Sequence, residues 1–198
     1  MSNGLRRADK TLKLTYLALM TALVAVLQLF IPIKFGIFSC TLVLVPMVIG
    51  AAICGPWGGA FLGLVFGFVV LFSGDAAAFL TVDPFGTIVT VLLKGTCAGL
   101  ASGFVYAALK RFNVYVATVC AAVIAPIVNT GIFVIGSFLF FYDTVSAWGA
   151  AMGFENGASY IFLGLAGGNF VLEFVLNLAI SPVLVRLLDL LNKKAFKR

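Results

Sequence analysis

The chain has 198 residues, 63% of them hydrophobic and only 10% charged, with 13 Lys and Arg against 7 Asp and Glu. A soluble domain carries about 25% charged residues, so this composition excludes one and indicates an integral membrane protein. Continuous apolar runs exclude a β-barrel, whose strands alternate in segments of about ten, and the absence of histidine removes the commonest metal ligand and general base.

Helices are the expected elements, because lipid forces every backbone polar group to pair within the chain. Arg6, Arg7, Lys10 and Lys13 open the sequence, and the first span covers about Leu12 to Ile31. It is too long for the apolar core of a signal peptide and has no small-residue cleavage site. A second, shorter span covers about Thr41 to Ala52 and is turned by "CGPWGG". The third runs from about Gly58 to Phe72, and the fourth from about Pro84 to Leu109, after a loop with Asp75 and Asp83. Lys110 and Arg111 mark the turn into a fifth span, about Val114 to Phe141. A polar stretch, Tyr142 to Gly157, leads into the last, about Ala158 to Leu188.

The fold expected is therefore all-α, six transmembrane helices in a single bundle forming one domain over residues 1–198. All Lys and Arg except Lys34 and Lys94 fall at the two termini and the Lys110–Arg111 turn. Basic residues flank spans on the cytoplasmic side, which predicts both termini inside and a multi-pass cell-membrane location. The same placement argues against nucleic acid as the partner of the excess charge. Small residues recur four apart as Ala18 and Ala22, as Gly59, Gly63 and Gly67, as Gly95, Gly99 and Gly103, and as Gly164 and Gly168. Such seams let helix backbones approach; the seam of the first helix could instead serve a partner subunit.

An ionisable group at mid-bilayer costs about 2.5–3.5 kcal/mol on insertion scales and marks a functional site by default. Asp83, Thr87, Thr90 and Lys94 form one stripe on the fourth helix, and Asn169, Glu173 and Asn177 form another on the sixth. At 1.5 Å per residue, Lys94, Asn129 and Asn169 lie roughly 15–18 Å from the outer ends of their helices, with Glu173 about one turn deeper. Two readings follow: a structural Lys94–Glu173 ion pair fixing helix register, or a ligand cavity. The cavity would be floored by Lys94, Thr90, Asn129, Asn169 and Glu173, with Asp75 and Asp83 at its mouth. The first three helices offer almost no polar groups within their spans.

No catalytic apparatus is expected. The four cysteines, Cys40, Cys54, Cys97 and Cys120, lack CxxC spacing and read as buried thiols, so neither metal nor cofactor is implied. Gly74-Asp75 and Tyr142-Asp143 do not match the paired aspartates of intramembrane proteases, since Phe72 stands where that motif has Gly and the two halves are reversed. No GxxxxGK[ST] segment cradles ATP phosphates, so active transport would draw on a partner chain or an ion gradient.

Nearly the whole chain resembles the substrate-binding S components of energy-coupling factor (ECF) vitamin transporters. The resemblance is carried by "ALMTA" (Ala18 to Ala22), "IGAAICGPWGGAFLGLVFG" (Ile49 to Gly67) and "APIVNTGIF" (Ala125 to Phe133). It implies a membrane-embedded cup that takes a micronutrient from outside, using helices four to six and the loops after helices one and three. It also implies that Ala18 and Ala22 dock on a transmembrane coupling protein, with two cytoplasmic ATPases powering release. The sequence is similar to the pantothenate type, with riboflavin-type components or a gradient-driven secondary transporter as alternatives.

Overall fold

Glycine and proline set several of the helix boundaries. A computed structural model describes residues 2–30, 33–35, 38–40 and 42–196, with side chains over 10–30 and 42–186. Helix α1 (Ser2–Phe30) is followed by two short antiparallel strands, β1 (Ile33–Phe35) and β2 (Phe38–Cys40), paired with Lys34 opposite Ser39. Next come α2 (Leu44–Cys54) and α3 (Pro56–Ser73), joined at Gly55, whose φ of 87° suits glycine. Gly74, at φ 88°, ends α3 in the left-handed conformation.

A one-turn helix, α4 (Ala77–Leu80), leads to α5 (Pro84–Leu109). Asp83 caps α5 by accepting the Gly86 N–H at 3.1 Å, with Pro84 in the first turn. Helix α6 (Val114–Phe140) is capped by Asn113, which accepts from the Tyr115 and Val116 N–H groups. Then follow α7 (Tyr142–Ala151), a short α8 (Gly157–Ser159), a π-helical stretch at Tyr160–Gly167, and α9 (Gly168–Phe196).

The fourth and fifth expected spans coincide with α5 and α6. Elsewhere the structure corrects the reading. The stretch Tyr142 to Gly157, expected as a polar loop, is largely the helix α7, and the loop after α3 contains α4. The strands were not anticipated, and Ile31 and Thr41, span limits in the sequence reading, lie outside the described residues. Among the described residues, five helical segments are long and apolar enough to cross a bilayer, while α2 is a shorter apolar helix of 11 residues. At 1.5 Å per residue it spans about 16 Å, roughly half of a hydrocarbon core of about 30 Å.

Contacts fix the relative directions. Gln28, near the end of α1, meets Asp75 just beyond α3, while Cys54 Sγ at the end of α2 lies 3.5 Å from the Lys13 carbonyl near the start of α1. Hence α1 and α3 run parallel, with α2 returning between them.

Helices α3 and α5 pack antiparallel through their glycines. A Cβ on Gly59 or Gly63 would overlap the carbonyl of Gly99 or Gly95, and the reverse substitutions would overlap Gly59 and Gly63. These two seams therefore face one another and bring backbones together where a methyl group has no room. Gly136 against Thr90 and Gly86 against Phe140 set α5 antiparallel to α6. One end of the bundle thus gathers α4, α7 and the residue 74–83 and 141–157 connections. A large apolar core, including Val24, Leu44, Met47, Leu62, Ala98, Ala121 and Leu184, fills the interior.

Candidate functional site

Beside that core lies a cavity of about 120 Å³. Its wall takes Gln28 from α1, Phe66 and Val70 from α3, Asp75 from the turn after α3, and Lys94 from α5. Asn129, Thr130 and Phe133 come from α6, Leu165 and Ala166 from the π-helical stretch, and Asn169 and Glu173 from α9. Helical spacing explains the clustering: Asn129 and Phe133 are one turn apart on α6, as Asn169 and Glu173 are on α9.

Lys94 supplies the one lysine or arginine on this wall. Its Nζ stands 5.4 Å from the Phe133 ring centroid and 5.9 Å from that of Phe66, within the range in which an aromatic face attracts a cation. The ammonium is flanked by rings from α3 and α6 rather than bound in a direct ion pair. Glu173 and Asp75 act on it through space, from the same cavity. The direct Lys94–Glu173 pair, one of the two readings of the sequence, is not formed among the described residues. Glu173 is buried and accepts instead from Asn129 Nδ2, at 3.5 Å.

The amides share a pattern. Asn129 Nδ2 is turned to Glu173, Gln28 Nε2 donates to Asp75 Oδ2 at 2.6 Å, and Asn169 Nδ2 donates to the Leu165 carbonyl at 3.3 Å. These donors fix the orientation of each amide. They leave Gln28 Oε1, Asn129 Oδ1 and Asn169 Oδ1 buried without partners. One turn deeper, Asn177 repeats the pattern, donating to the Glu173 carbonyl at 2.8 Å with its oxygen unpaired. A buried acceptor without a donor costs about 1–3 kcal/mol, and the three residues that carry these atoms all lie on one cavity wall. The polar groups of the wall are thus one ammonium, two carboxylates, three amides and the Thr130 hydroxyl.

The α4 end is tied down beside the cavity. Phe79 of α4 makes edge contacts with Phe133 at 5.7 Å, Phe141 at 5.1 Å and Trp148 at 5.6 Å, tying α4 to α6 and α7. Asp75 is exposed yet pinned, its Oδ2 accepting from Gln28 and from Ser73 Oγ at 3.0 Å.

Of the residues singled out in the sequence, Lys94, Asn129, Asn169, Glu173 and Asp75 come together around the cavity. Thr90 lies on the wall of a smaller adjoining cavity that also touches Lys94. Asp83 is not on either wall and serves as the helix cap of α5. Ala18 and Ala22 lie on the exposed face of α1. The reading that the first three helices bring almost no polar group to the site is corrected by Gln28, buried at 2% exposure. An amide within an apolar run, one turn from its end, was the signal that could have found it. Phe66, Val70, Thr130, Phe133, Leu165 and Ala166 were also missed; apolar wall residues look like core in a sequence.

A family model described as "ECF transporter, substrate-specific component" matches residues 12–185. Neither the curated proteins nor the solved structures yield a match.

Proposed function

The chain belongs to the ECF transporter substrate-specific component family, and on that premise we propose that it captures a small, donor-rich organic acid, pantothenate the leading choice, from outside the cell. Membership makes the chain a substrate-recognising membrane subunit of a transport system rather than an enzyme. In the proposal, residues 1–198 act as one domain with both termini inside. The exposed Ala18 and Ala22 dock on a transmembrane coupling protein that carries two cytoplasmic ATPases, and these supply the energy.

The observation that carries the ligand class is the gathering of three amides and two carboxylates around a single ring-flanked ammonium on one cavity wall. Lys94 would take the carboxylate, while the amide oxygens, Glu173 and Asp75 would accept from hydroxyl and amide N–H groups. Pantothenate carries one carboxylate, two hydroxyls and one amide N–H, which suits that distribution. A flavin ring suits it less. No tryptophan lies on the cavity wall for stacking.

The test is uptake of labelled pantothenate into vesicles containing this chain with its coupling module and ATP, beside binding by the chain alone in detergent. Binding by the chain alone, with uptake only in the presence of the module and ATP, is expected. Tight binding of a different vitamin, with no pantothenate uptake, overturns the ligand. Uptake by the chain alone without ATP overturns the subunit reading in favour of a gradient-driven carrier.

A further inference from the structure

Beneath α4 lies a second cavity of about 40 Å³, walled largely by Val70, Ala76, Phe79, Val91, Phe133 and Phe141. Thr87, Thr90 and Lys94 are its polar neighbours. The Thr87 hydroxyl is spent on the Asp83 carbonyl at 2.7 Å, while the Thr90 hydroxyl is unpartnered. One water occupies about 30 Å³ in the liquid and needs two to four polar partners to be held in a protein. The space is large enough for a water, with Thr90 Oγ1 and Lys94 as the polar groups left to meet one, and the rest of its wall is apolar. It suits one or two methyl-sized groups.

Its position gives it a use. The two cavities share Val70, Lys94 and Phe133 on their walls, so the lysine and the ring stand at the boundary between a polar compartment and an apolar one. A solute whose carboxylate sits at Lys94 would run along the shared wall residues Val70 and Phe133 to bring a carbon branch, several bonds away, to the mouth of the smaller space. The roof over that space is fixed by the Phe79 contacts with Phe133 and Phe141, so its shape is set before any solute arrives.

We propose that the two cavities form one bipartite site, and that the pocket beneath α4 admits a short branched aliphatic group carried by the ligand beside its hydrogen-bonding part. This rests on the ligand-capture reading and sharpens it. Within the class of donor-rich acids, the site selects those with a compact branch and discriminates against linear ones. Pantothenate, whose two methyl groups stand on the carbon between its hydroxyl-bearing carbons, is such a compound.

The experiment compares labelled pantothenate with the analogue bearing hydrogens in place of both methyl groups, by equilibrium binding to the detergent-solubilised full chain. Burying two methyl groups is worth on the order of tenfold in affinity, so the wild type should prefer pantothenate by roughly that factor. Val91→Phe and the milder Ala76→Val, which fill the pocket, should lower the affinity for pantothenate more than for the analogue and bring the ratio toward one. A wild-type ratio of one, or an unchanged ratio in both filled variants, overturns the bipartite site. If pantothenate fails to bind the wild type, the vitamin assignment of the preceding section falls, and the pocket is then judged with xenon, which enters dry apolar cavities. Xenon beneath α4 in wild-type crystals and its absence in Val91→Phe supports the pocket; no xenon in the wild type overturns it.

Discussion

Replacing Gly63 by alanine is the sharpest probe of how the bundle holds its site. The added Cβ would overlap the Gly95 carbonyl oxygen and lie 2.5 Å from Gly95 C and 3.0 Å from Thr96 Cα, where ordinary contact is 3.4–4 Å. Both obstacles are backbone, so no side chain can swing away. The two helices must separate by roughly 1 Å, and overpacking of this kind costs about 1–3 kcal/mol. At about 2–4 °C per kcal/mol for a chain of this size, the thermal midpoint should fall by about 2–12 °C. The consequence reaches the cavity, because Phe66 lies three residues from Gly63 and Lys94 adjoins Gly95. Moving α3 away from α5 carries the Phe66 ring from its present 5.9 Å beyond the about 6 Å reach of a cation–π contact. Ligand affinity should fall several-fold together with the midpoint. Gly131→Ala is the control, since a Cβ there meets nothing within 4 Å. Thermal unfolding in detergent followed by size-exclusion chromatography, with equilibrium binding on the same samples, reads both effects. A Gly63→Ala protein as stable as Gly131→Ala would refute the close-packed seam.

Lys94→Met should weaken binding of a carboxylate ligand by roughly 10- to 150-fold, the worth of a charge-assisted hydrogen bond at about 1.5–3 kcal/mol, while the protein still elutes as a folded species. A collapse in folded yield would mean that the lysine holds helices together. Gln28→Leu should loosen Asp75 and weaken binding several-fold in the same assay, with no change expected if the carboxylate only meets solvent. Asp83→Ser should keep both stability and binding because serine also caps, whereas Asp83→Ala should cost about 1 kcal/mol in an unfolding titration. Loss of binding in Asp83→Ser would show that the carboxylate itself acts on the ligand. For topology, Lys110→Cys should react with an impermeant maleimide in inside-out vesicles and Asp143→Cys in right-side-out cells; the opposite pattern would invert the proposed orientation.

Much of the bundle was legible because lipid leaves the chain few options. The boundaries of α5 and α6 sit at Pro84 and at the Lys110–Asn113 turn, where proline, a capping aspartate and a capping asparagine mark them in the sequence. The facing seams of Gly59, Gly63, Gly95 and Gly99 were likewise visible as four-residue spacing. Helix α7 was not. Its sequence, YDTVSAWGAA, has a polar start and small residues, and what buries it is packing of Val145 with the adjoining Phe141 and with Tyr160 and Ile161 from the last span. The π-helical stretch at Tyr160–Gly167 also carries no distinguishing residue type.

The site divides along the same line. Spacing along a helix decides which residues share a face, and that was enough to bring Lys94, Asn129, Asn169 and Glu173 to one level. It does not decide which atom of an amide is left over. That depends on the protein groups that take the N–H: Asp75 for Gln28, the Leu165 carbonyl for Asn169, and Glu173 for Asn129. Two of those three acceptors come from another helix or loop. One N–H of each amide is taken up internally, which leaves its second N–H and its oxygen to be satisfied. The polarity of recognition is therefore a tertiary property, set by the meeting of α1 with the turn after α3 and of α6 with α9.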